Sequence, residues 1–124
     1  MKIHFRNEQN LLSISENSTV DAVNFFLDKE KVDCDELSIY LIDDEKIANL
    51  HHHYFQDSSP TDCISFPIDA PGEREDGTCF LGEIFVSTET ALSYATAHNI
   101  DPCQEVLLYI IHGLLHLIGY NDEV

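Results

Sequence analysis

The chain has 124 residues, 44% of them hydrophobic, with no apolar run approaching the ~20 residues that a membrane span needs. One domain over residues 1–124 is expected, with no membrane partner. Twenty-three acids against six bases leave a net charge of −17, and all six bases lie at or before Arg74; the basic footprint of a protein that binds RNA or DNA tightly by itself is missing.

Taken in order, Lys2 to Arg6 alternates apolar and polar residues, a short strand pattern, and Asn10 to Ile14 is a weaker second one. Ser18 or Thr19 can cap a helix that runs to about Lys31, with Val20, Val23, Phe26 and Leu27 at helical spacing. Leu37 to Ile42 is rich in β-branched and aromatic residues, as a strand requires. Asp43 and Asp44 can cap a second helix with Ile47, Leu50 and Tyr54 on one face. Thr61 to Ile68 reads as a strand in which Pro67 signals an edge or an end. A polar loop from Asp69 to Gly77 precedes a strand from Thr78 to Val86. Ser87 or Thr88 then caps a helix to about Asn99, and Asp101-Pro102 opens a last helix to about Ile118. This order predicts an α+β fold, a mixed sheet of about four strands with helices packed on it.

The four cysteines, Cys34, Cys63, Cys79 and Cys103, form no C-x-x-C pair, which argues against a zinc ribbon. The N-terminus lacks the apolar stretch of a secretory signal, so a cytoplasmic location and free thiols are expected. The acidic runs Asp33–Glu36 and Glu73–Asp76 read as solvated loops, and His51, His52 and His53 as a solvated helix face.

The last helix is apolar nearly all round, from Val106 to Ile118, and a helix of that kind is buried. It nevertheless carries His112 and His116, which at a spacing of four lie on one face. Gly119 follows as a helix-ending residue, and a chain that turns back there can bring Asp122 to the same place. Two imidazoles and a carboxylate suit zinc, with nickel, cobalt and manganese as alternatives and a position left open for water or substrate, so a metal site of His112, His116 and Asp122 is expected at the end of this helix. The spacing is that of the long zincin motif, but Gly113 stands where that motif has its glutamate base and Asp122 where it has a third histidine, which argues against protease chemistry.

The stretch from His112 to Asp122, HGLLHLIGYND, resembles the signature of the YbeY family of bacterial metal-dependent endoribonucleases. Pro60 to Pro67 (PTDCISFP) and Leu81 to Ser87 (LGEIFVS) are similar to two further motifs of that family, in the same order. The resemblance implies a zinc-dependent, single-strand-specific endoribonuclease in ribosomal RNA maturation and ribosome quality control, with one zinc ion held by His112, His116 and, in place of the third histidine, Asp122. Ser65 is a candidate for the substrate cleft beside the metal. Asn121 stands where the family has aspartate, and Phe55 where it has an arginine six residues before Thr61, which implies weak activity. The sequence ends two residues after Asp122, where family members usually continue, so contacts made to the site by a longer tail are expected to be missing. The partners implied are ribosomal RNA and the ribosome, reached through a ribosomal protein or a GTPase, and no DNA is expected. An alternative is a ribosome-associated binding factor on the same metal-bearing scaffold with little nuclease activity.

Overall fold

A computed structural model describes residues 1–55, 62–71 and 78–119. Among these the chain forms β1 (Lys2–Asn7), α1 (Glu16–Lys29), β2 (Glu36–Ile42), α2 (Asp44–Phe55), β3 (Cys63–Pro67), β4 (Phe80–Ser87), α3 (Thr88–His98) and α4 (Pro102–Leu117). The strands build one sheet in the order β1-β2-β4-β3. β1, β2 and β4 run parallel, and β3 pairs antiparallel with β4 at the edge. The α+β expectation of a mixed four-stranded sheet covered by helices therefore holds, as does the edge position that Pro67 signalled.

Alternation along the strands gives the sheet two faces. Leu37, Ile39 and Leu41 of β2, with Leu81, Ile84 and Val86 of β4, form one face. It receives Val23 and Leu27 of α1, Ala91 of α3, and Val106, Ile110, Leu114 and Leu117 of α4. Fully burying each of the larger aliphatic side chains contributes about 1.5–3 kcal/mol. The opposite face carries a smaller cluster, in which Ile47 and Leu50 of α2 pack with Tyr40, Ile42, Ile64, Phe66 and Phe85. A carboxylate ties the two helix starts at the end of the parallel strands. The Asp44 side chain accepts from the Ser87 hydroxyl and from Thr90 Oγ1 at 2.8 Å, while the Asp44 amide donates to Glu89 Oε1 at 3.0 Å.

The structure departs from the sequence reading in several places. Asn10 to Ile14 is not a strand, because Gln9 takes up its backbone: the Leu11 and Leu12 amides donate to Gln9 Oε1 at 2.9 and 2.8 Å, and Gln9 Nε2 donates to the Leu12 carbonyl at 2.8 Å. The cap of α1 is Ser15, which accepts from the Ser18 amide, and the helix ends at Lys29 before Lys31 turns to φ +54°. The run Asp33–Glu36 is not simply solvated. Asp35 Oδ2 accepts from the Cys79 amide at 2.7 Å, and Glu36 begins β2 and pairs with His4 at 2.9 Å. Cys34 and Cys79 are not free thiols but a disulfide. The strand pairing that brings them together is local: the Asp35 and Glu36 amides both donate to the Cys79 carbonyl, each at 3.0 Å. Nor is α4 buried all round, since Leu108 points away from the sheet and is 58% exposed. Among the described residues no helix is long and apolar enough to cross a membrane.

Candidate functional site

The site is laid out along one edge of α4. Asp101 caps this helix by accepting from the Cys103 amide at 2.9 Å, and Pro102 follows at the first helical position, where its missing N–H has no cost. Val106, Ile110, Gly113, Leu114 and Leu117 turn to the sheet. Glu105, Tyr109, His112 and His116, at steps of four, three and four, share the neighbouring stripe. The imidazole centroids of His112 and His116 are 4.9 Å apart, with His112 half-buried and His116 exposed. Two ring nitrogens presented in this way from adjacent turns can meet one ion, so the donor chemistry of the pair fits zinc.

Helix termination also follows the sequence. The Ile118 amide donates to the Leu114 carbonyl at 3.0 Å and the Gly119 amide to the His116 carbonyl at 3.2 Å; Gly119 then takes φ +102°, in open space. This is the left-handed ending for which glycine is suited. Asp122, the expected third ligand, lies outside the described residues, as do Asn121 and Thr61. Among the described residues, no group of three or more His, Cys, Asp and Glu side chains is placed to hold a metal. His51, His52 and His53 fall in the last turns of α2, where His53 meets the Tyr54 ring edge-on at 4.8 Å and lines a cavity of about 450 Å³ with Lys46, Asn49 and Phe85. Phe55 is the last residue of that helix.

Gly113 has a structural explanation. A Cβ at this position would stand 2.8 Å from Ile84 Cγ2 and 3.0 Å from Ser65 Oγ. The glutamate of the zincin motif has no room here, because position 113 is where the helix backbone lies against the sheet. Ser65, opposite Ile84 in the β3–β4 ladder, donates its hydroxyl to the Gly113 carbonyl at 3.2 Å. Asp62 engages the turn before β3, as expected for that residue: its side chain accepts from the Cys63 amide at 2.7 Å and its carbonyl from the Ser87 amide at 3.0 Å.

The sequence reading did not single out Glu105 and Tyr109. Both are buried, 5% and 7% exposed, two turns and one turn before His112 on the same stripe. Burial pushes the Tyr109 phenol well above its ordinary value, and a hydrogen bond to Glu105 and the nearby charges of Glu105 and Asp62 push it further. The stripe Glu105-Tyr109-His112-His116 is periodic in the sequence and was the available signal, but the apolar residues on every other side of the helix hid it.

Comparison with known proteins places this arrangement. The solved structure of TM1509 from Thermotoga maritima superposes with a TM-score of 0.61 over 98% of this chain and 75% of its own, at 25% identity. A family model described as endoribonuclease YbeY matches residues 3–124. A protein of Protochlamydia amoebophila named endoribonuclease YbeY is 46% identical over 120 residues, 97% of this chain and 79% of its own. A Chlamydia trachomatis protein of the same name is 39% identical over 123 residues, 98% of this chain and 76% of its own. The chain belongs to the YbeY family.

Proposed function

We propose that this protein is a zinc-dependent, single-strand-specific endoribonuclease that acts in the cytoplasm on ribosomal RNA, in its maturation and in ribosome quality control. The observation that carries this reading is a histidine pair on one face of α4, in a chain whose relatives are named endoribonucleases over almost its whole length. His112, His116 and Asp122 are the residues that would hold the ion. When bound, zinc supplies a Lewis acid for the phosphodiester. The protein's own part is to present the two imidazoles from a helix seated firmly on the sheet, beside an edge strand, β3, that can border the substrate. With a net charge of −17 the chain has little general attraction for phosphates, so its access to RNA rests on a docking partner such as a ribosomal protein or a GTPase.

Elemental analysis of the purified protein tests the ligand set: about one zinc per chain is expected, with loss in Asp122→Ala. No zinc in either protein would remove the metal site. Cleavage of single-stranded RNA by wild type but not by His112→Ala is the expected activity result, and equal cleavage by both would mean contamination. Phe55, at the position of the family arginine, and the acidic surface favour a second reading, a ribosome-associated binding factor with little nuclease activity. Zinc binding and ribosome association without cleavage would select it.

A further inference from the structure

A close helix–sheet contact lies one residue from a histidine of the proposed site. Position 113 meets the sheet so closely that a methyl group there would overlap the Ile84 side chain. The sheet answers with a glycine of its own: a Cβ at Gly82 would collide with the Phe66 carbonyl and stand 2.8 Å from Leu117 Cδ2. Two glycines, one on each partner, therefore let α4 settle on β3 and β4. A glycine at such a contact supplies no side chain of its own to key the helix against the sheet. Beside it lies a polar tie, the Ser65 hydroxyl given at 3.2 Å to the Gly113 carbonyl. That carbonyl already serves the helix ladder, and its second lone pair takes the serine.

We propose that Ser65 is a positioning residue for the histidine pair: its bond to the Gly113 carbonyl sets the roll of α4 on the sheet and so the aim of His112 and His116. A helix with its side chains has a radius of about 5–6 Å, so a roll of roughly 10° swings a ring nitrogen by about 1 Å. Metal–nitrogen bonds of about 2 Å tolerate little of that. Residues that orient ligands typically change metal affinity ~10–100-fold when altered. Ser65 thus acts through the backbone of the residue next to His112 and not by facing substrate. This inference rests on the zinc reading for its consequence, though not for its geometry.

Threonine and valine have nearly the same shape, both suit a strand, and only threonine keeps the hydroxyl. Ser65→Thr and Ser65→Val are therefore compared with wild type in a competition titration of zinc against a chromophoric chelator. The expected result is Ser65→Thr within about threefold of wild type and Ser65→Val at least ~10-fold weaker. Equal affinities in the two variants, whether both strong or both weak, overturn the proposal, because the hydroxyl then decides nothing. If wild type takes no zinc, the metal reading fails separately. The proposal is then judged on the imidazole nitrogen NMR shifts of the metal-free proteins. Shifts at His112 and His116 that move in Ser65→Val but not in Ser65→Thr uphold it; shifts unmoved in both, or moved in both, overturn it. Should Ser65→Val not fold, Ser65→Ala replaces it under the same criteria.

Discussion

Gly113 and Tyr109 show how single positions on α4 divide between packing and chemistry. Adding a methyl group at Gly113 should gain about 1 kcal/mol of helix propensity and lose about 1–3 kcal/mol to overpacking, since the Ile84 methyl it meets sits on a stiff β-branched side chain. Gly113→Ala is therefore expected to be less stable than wild type by up to about 2 kcal/mol in urea unfolding; an unchanged or higher midpoint would mean that the helix lifts from the sheet without cost. Tyr109 makes a prediction in pH. Its phenol is raised by burial in the folded protein, while the unfolded chain ionises near the ordinary value of about 10. Above that pH the unfolded state binds fewer protons than the native state, so stability present at lower pH is lost as pH rises. Tyr109→Phe should weaken this alkaline loss when unfolding is compared at about pH 8 and about pH 11. Tyr40, raised by burial and by Glu83, leaves part of the slope in place.

At the scale of elements, much of the fold was legible. All four strands and four helices of the described structure follow patterns visible in the chain, and Ser87 and Asp101 cap the helices they were expected to cap. The misses have physical causes. Asn10 to Ile14 had a strand's composition, but Gln9 reaches its amides first. The histidine pair was legible because a helix fixes its own neighbours. Asp62 beside Tyr109, and Ser65 on Gly113, were not, because 47 and 48 residues of chain separate the partners and only the docking of β3 against α4 joins them. The same holds for Cys34 and Cys79, 45 residues apart. Closing a loop of that length removes unfolded-state entropy equivalent to about 4 kcal/mol in the chain-entropy model. Reducing the disulfide, or combining Cys34→Ser with Cys79→Ser, should lower unfolding stability by up to that amount, as denaturant titration with and without reductant would show. Cys63→Ser with Cys103→Ser should retain the reductant effect.

For the whole molecule the dominant quantity is charge. A net of −17 on 124 residues makes the folded state repel itself more than the expanded chain does. Salt shortens the reach of that repulsion to about 8–10 Å near physiological strength. The melting temperature should therefore rise on going from low to moderate sodium chloride, by roughly 4 °C for each kcal/mol relieved; a fall would show that attractive pairs outweigh the repulsion. The strand order carries a different consequence. Among the described residues β4 is the only partner of β3 and completes β2, yet it is the last strand in chain order. As the polypeptide leaves the ribosome, β1 and β2 can pair early, while β3 waits unpaired until residues 80–87 emerge, and α4 has no finished surface to dock on before then. The histidine pair is thus seated on the sheet only after β4 has emerged, and any pause in translation between β3 and β4 would hold the nascent chain with an open sheet edge.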